Sequence, residues 1–237
     1  MASIAPLARR EQTFYQKMSV GLVAFIVFGF AQFEARGFVD PRALPLAIHL
    51  HAAMMVGWLA LLVVQSTLVA RDNLALHRRL GWAGAVLVTA IPPVAIVGVV
   101  AVMRAGIAPP FFTPAFYLSL VTIEAALFAA MVWLAIARCK QTAWHRRLMI
   151  GATVLLMEPA LGRLLPVPLM GAMPAEWTAM VIQLLMLGFL LRHDREVLGK
   201  VHPATTTAAI AVILSHVLVA LAAMLPPVIA LADAIAA

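Results

Sequence analysis

The sequence predicts an all-α polytopic membrane bundle of seven transmembrane helices, one leading helix followed by three helical hairpins. Three observations predict it. Hydrophobic residues make up 64% of the 237 and charged residues 11%, with a mean hydropathy of +1.01, whereas a soluble domain carries about 25% charged residues. The apolar residues gather in seven long runs rather than in the amphipathic stretches of a soluble core. Finally, an arginine, a short polar loop and a histidine that opens an apolar run recur three times, from Arg71 to His77, Arg138 to His145 and Arg195 to His202; two copies share His-Arg-Arg-Leu.

Taken in order, the first run (18–34) follows a polar arm and ends in Phe33-Glu34-Ala35-Arg36 without a small-residue cleavage site, so it is expected to stay as a helix and not to be a removed signal peptide. Runs 44–70 and 80–103 form the first hairpin, 111–137 and 147–165 the second, and 176–191 and 204–225 the third. About 20 apolar residues suffice to cross a hydrocarbon layer of about 30 Å. Pro92-Pro93 predicts a kink in the third span, and Pro159, Pro166, Pro168 and Pro174 predict broken helix between the fifth and sixth. No stretch has the composition of a soluble domain, so residues 1–237 read as one integral membrane domain.

Alternate loops differ sharply in charge. Arg9, Arg10, Lys17, Arg71, Arg78, Arg79, Arg138, Lys140, Arg146, Arg147, Arg192, Arg195 and Lys200 fall on one side, 13 of the 17 basic residues; Arg36, Arg42, Arg104 and Arg163 fall on the other. The positive-inside rule then puts the N-terminus in the cytoplasm and the C-terminus outside, as in a multi-pass protein of a bacterial inner membrane. The formal charge of +7 is topological. Its expected counterions are anionic phospholipid headgroups of the surrounding bilayer, and nucleic acid is not an expected partner. A single cysteine, Cys139, excludes an intrachain disulfide and any Cys-based metal motif.

His77, His145 and His202 should share one depth at the cytoplasmic face. Imidazoles converging there could bind a transition metal, or a pair of them a haem iron. Helix-start dipoles and the adjacent arginines oppose a cation, and suit interfacial anchoring or a specific anion instead. A second polar layer is expected in the outer half of the spans, where an ionisable group costs several kcal/mol unless paired. It contains His49, His51, Glu158, Gln183, Arg163 and His216, with Glu124 near the middle of the fourth span. His49 and His51 point about 200° apart on an ideal helix, so only one can face a shared ion. His51 with His216 could hold a haem, and His51, Glu158 and His216 a metal; the alternative is an interhelical hydrogen-bond network. Met54, Met55, Met157, Met170, Met173, Met180 and Met224 lie in the same half; thioethers with histidine would favour Cu(I), but methionine is the common filler of apolar helices, and packing is the expected role. No lysine lies inside a span, which removes a retinal Schiff base, and phosphate-loop, Gly-x-Ser-x-Gly and His-Glu-x-x-His motifs are absent.

The stretches from His49 to Trp82, from Trp144 to Leu164 and from Asp194 to Thr205 resemble a group of bacterial predicted multi-pass membrane proteins of unknown function. The matching pattern is a histidine, a glutamine and His-Arg-x-Leu-Gly in one hairpin, and His-Arg-x-x-Met followed by arginine in another. It falls on His51, Gln65, His77, Arg78, Gly81, His145, Arg146, Met149, Arg163 and His202. A weaker similarity runs to transmembrane cytochromes b of the ascorbate-reducible type. It implies a haem near each membrane face, with the inner one held by His77 and His145. The fourth span has Glu124 and no histidine, so the outer haem would need His51 and His216.

These readings converge on an integral membrane protein that binds haem b or a transition metal and takes part in electron transfer, with quinone as a further cofactor and a membrane redox partner or a second copy of the chain as partners. The alternatives are a transporter of a small molecule, lipid or ion or an accessory subunit of a membrane complex, for which Glu124, Glu158 and the proline-broken region speak, and a membrane hydrolase with histidine-bound zinc.

Overall fold

A computed structural model describes residues 4–237, with side chains from Glu11 onward; Met1, Ala2 and Ser3 and the side chains of Arg9 and Arg10 lie outside the described residues. Ten α-helices and one short 3-10 turn make up the described fold. They are α1 (Ile4–Ala35), α2 (Leu46–Ala70), α3 (Leu74–Arg104), α4 (Pro114–Ala137), α5 (Thr142–Leu155), α6 (Glu158–Leu164), α7 (Val167–Met170), α8 (Ala172–Leu198), α9 (Pro203–Ala222) and α10 (Pro226–Ala236), with the turn at Pro41–Ala43.

Six helices are long and apolar enough to cross a membrane: α1 from Glu11, α2, α3, α4, α8 and α9. The expected fifth span is divided. Its helix stops at Leu155 and restarts at Glu158, with Pro159 in the first turn of α6, where a missing N–H costs nothing. A further break at Leu165 and Pro166 and the positive φ of Gly171 (+83°) carry the chain through α7 into α8. By contrast, α3 remains helical through Pro92 and Pro93.

Local signals account for the helix ends. Asn73 caps α3 by accepting from the Leu76 amide, and Thr113 caps α4 by accepting from the Phe116 amide ahead of Pro114. Gly199 closes α8 in the left-handed conformation at φ +69°. Helix α8 therefore extends past the apolar run that marks it in the sequence, because a helix ends where its backbone is capped and not where hydropathy falls.

Helices α1, α2, α3, α4 and α5 close a ring by successive packing, and α8 and α9 pack on α5 from the other side, α9 also touching α4. Thus α5 lies at the centre, and Leu148, Ile150, Ala152, Thr153, Val154 and Leu155 on it are all buried. Helix α10 lies across α3 and α4, with Ala232 seated among Val99, Met103, Ala115 and Leu118. The loops after α2, α4 and α8 share one end with the start of α1, as the Glu11–Arg146 and Arg147–Asp194 pairs show; this basic end carries the three Arg-to-His hairpins.

Candidate functional site

The three hairpin histidines do not occupy equivalent places. His77 and His145 each sit four residues into a helix, whereas His202 is the N-cap of α9, ahead of Pro203, and its Nδ1 accepts from the Ala204 amide (3.1 Å). The proline fixes this difference, since it takes the first helical position and leaves the preceding residue outside. His77 and His145 consequently face each other inside the ring of α1 to α5, with ring centroids 6.3 Å apart and planes at 89°. His202 instead packs edge-on against Trp144 at 5.4 Å and joins neither.

Between His77 and His145 lies a largely apolar cavity of about 180 Å³. His145 Nδ1 is held by the Ala135 carbonyl at 2.8 Å, which fixes the ring and leaves Nε2 as its free nitrogen. Gln65 Nε2 donates to the His77 carbonyl (3.1 Å), and the His77 ring in turn approaches the Gln65 backbone carbonyl. Five buried polar atoms on residues lining the cavity have no hydrogen-bond partner: Tyr15 Oη, Trp58 Nε1, Gln65 Oε1, His77 Nδ1 and Arg146 Nε. Leaving each of these unpaired costs about 1–3 kcal/mol, and their concentration around one cavity makes it the candidate site. Arg146 is positioned by Glu11 (2.7 Å) and by the Tyr15 ring (4.5 Å). Six of the ten positions that carry the family resemblance line the cavity: Gln65, His77, Gly81, His145, Arg146 and Met149. Tyr15, an aromatic in the polar arm before the first run, and Trp58, an aromatic within the second, gave no further sequence signal.

At the other end, the expected outer layer is only partly assembled. His216 is fully buried with both ring nitrogens engaged, Nδ1 with Glu176 Oε1 at 2.7 Å and Nε2 with Gln183 Oε1 at 2.9 Å. Gln183 also donates to the Leu155 carbonyl, which the helix break has released (3.2 Å). Glu158 and Glu124 are both buried and lie close enough to interact. Arg163 donates to the Pro159 carbonyl (2.7 Å) and stacks on Phe30 at 4.0 Å.

His51 lies on α2, which packs against α1 and α3, and its Nδ1 is buried without a partner. The expected pairing of His51 with His216, alone or with Glu158, is not assembled, because both His216 ring nitrogens are engaged by Glu176 and Gln183. His49 is exposed. Among the described residues no group of three or more His, Cys, Asp or Glu side chains is placed to hold a metal. Of the methionines in that half, Met157 is fully buried, Met54, Met55 and Met180 pack against the core, and Met173 and Met224 are exposed.

A third polar group knots the basic end. Arg147, with no exposed surface, bonds Asp194 Oδ1 through Nε (2.8 Å), while Asp194 Oδ2 accepts from the His202 amide (3.0 Å) and Thr205 Oγ1 (2.5 Å). Beside it His193 stacks on Phe14 at 3.7 Å. Asp194 thereby ties α5, α8 and the start of α9 together. Comparison of the chain with protein-family models, curated proteins and solved structures returns no match.

Proposed function

We propose that this is a multi-pass protein of a bacterial inner membrane, crossing it seven times with the divided α5–α6 as the fifth crossing and the basic end in the cytoplasm. The excess of arginine and lysine at that end supports the orientation. Cys139, exposed in the α4–α5 loop, tests it: a membrane-impermeant maleimide should label it only after the membrane is opened, and labelling of intact cells would reverse the topology.

Within that frame, the cavity between His77 and His145 binds a cofactor of membrane electron transfer, with the two histidines as the ligating pair of a haem iron or of a single transition metal. The observation that carries this is the 6.3 Å ring separation. That spacing would let one nitrogen of each ring hold an iron or other transition metal between them. Haem or metal bound there supplies one-electron chemistry. The chain contributes the fixed His145 ring and a set of unpaired donors, Tyr15, Trp58 and Arg146, suited to the carboxylate oxygens of a haem.

A second reading is favoured by size. The cavity of about 180 Å³ exceeds one of about 150 Å³ that takes benzene but falls below the roughly 300 Å³ of common ligand pockets. A quinone headgroup, whose two carbonyls accept from the same donors, fits that range. Protein purified in mild detergent should show a Soret band, or bound metal in stoichiometric amount, that is lost in folded His77→Ala and His145→Ala. A colourless, metal-free protein that yields quinone on solvent extraction selects the second reading. Absence of haem, metal and quinone overturns both.

A further inference from the structure

The buried cluster at the end of the bundle opposite the cavity is independent of any cofactor and has its own chemistry. Four elements supply it: α4 with Glu124, α6 with Glu158 and Arg163, α8 with Glu176 and Gln183, and α9 with His216. Tyr117, near the start of α4, is the remaining titratable group that faces Arg163. We propose that Glu124, Glu158, Glu176 and His216 form a proton-exchanging relay that holds two protons inside the bundle and trades them with water at that end.

The proton count follows from burial and hydrogen bonding. Glu124 and Glu158 are buried together and interact, and two carboxyl groups so placed share one proton, because both cannot ionise side by side in a low-dielectric interior. Gln183 is oriented by donating its Nε2 to the Leu155 carbonyl, so its Oε1 must accept from His216 Nε2–H. The 2.7 Å contact between His216 Nδ1 and Glu176 Oε1 then needs a second proton, carried by either partner.

Charge balance gives the same number. Three carboxylates against the Arg163 guanidinium leave two negative charges, and two protons cancel them. Loss of either proton would strand net charge in a low-dielectric interior, where it costs several kcal/mol. A neutral cluster has no charge left for a metal cation, which would have to displace a proton.

Two further features point to exchange and not to a static network. Glu124 Oε1 is buried at 8% residue exposure and has no partner, so it is free to receive a proton or a water. Glu158 and Glu176 both line a gap of about 10 Å³, shared with Phe112 and Gly162 beneath the outer loops, and a single water needs about 10–15 Å³. A water there would bridge the Glu124–Glu158 pair to the Glu176–His216 pair. The proton moves along existing hydrogen bonds, leaving one oxygen or nitrogen as it joins the next, with no change in oxidation state.

Infrared spectroscopy of the full-length protein in lipid tests this. At neutral pH a protonated-carboxyl C=O band is expected, and in D2O it should shift while the amide protons of the spanning helices remain unexchanged. Glu124→Gln and Glu158→Gln should each weaken that band by the proton the pair shares; should either variant fail to fold, the wild-type exchange decides alone. Absence of the band at neutral pH, or a band that stays unshifted for as long as the helix amides, overturns the relay. Loss of the band on adding sodium would show a cation site in its place and overturn it equally.

Discussion

Arg147 illustrates how much a single side chain can govern at the basic end. It is fully buried and its charge is met by Asp194, which also bonds His202 and Thr205. Removing one partner of a buried pair strands the other, at about 3–5 kcal/mol. Asp194→Ala should therefore lower stability by that amount in thermal unfolding in detergent, and Thr205→Val by about 1 kcal/mol. Burial first, and then the Arg147 charge, hold the His202 imidazole below its ordinary value, against the pull of Asp194. The unfolded chain thus binds the proton more readily. Its contribution is complete above the unfolded value of about 6.5 and is lost as pH falls from there through the lowered folded value. Protonation also removes the Nδ1 acceptor that caps α9. His202→Asn, which caps without titrating, should flatten the fall in melting temperature between about pH 7 and 5; an unchanged slope would assign the dependence elsewhere. At this scale the sequence was a partial guide. His77 with His145, and Gln183 with His216, were legible as polar residues at one depth. Glu176 and Asp194 were not, because each sits where an apolar run gives way to loop, and a carboxylate there reads as solvated.

Between elements, close approach depends on small residues. A Cβ on Gly151 of α5 would collide with Ala208 of α9 and lie 3.2 Å from Met131, and one on Gly29 of α1 would lie 2.8 Å from Ala160 of α6. Such contacts let helices touch where no hydrophobic effect drives them together. Gly151→Ala should cost about 1–3 kcal/mol by overpacking, read as a fall in melting temperature. Gly188→Ala, with open space around it, should be neutral or gain up to about 1 kcal/mol from helix propensity. The spans were readable from hydropathy to within several residues. Their ends were not, since Asn73, Thr113 and Gly199 set them through capping. The division of the fifth span was foreshadowed by Pro159 and Pro166, although the break itself begins earlier, at Leu156.

For the molecule as a whole, hydropathy could reveal the helices but not their arrangement around α5. Ring order decides which residues meet: it brings His77 to His145 and gives His216 to Glu176 and Gln183. The central position of α5 has a consequence for how the chain enters the membrane. With 14 residues it spans only about 21 Å, and it carries Arg146 and Arg147, each of which costs up to about 2.5–3.5 kcal/mol in hydrocarbon. The pairing that relieves Arg147 comes from Asp194, which is synthesised 47 residues later. Helix α5 should therefore wait at the membrane surface until α8 and α9 have been made. A chain stopped after Gly171 should leave a terminal reporter on the basic side, whereas the same reporter placed there in the full chain should read the opposite side. A truncated chain that already crosses would show that α5 and α6 insert unaided. On the proposed seven-crossing topology, translation order, and not apolar length alone, then sets when α5 and α6 cross.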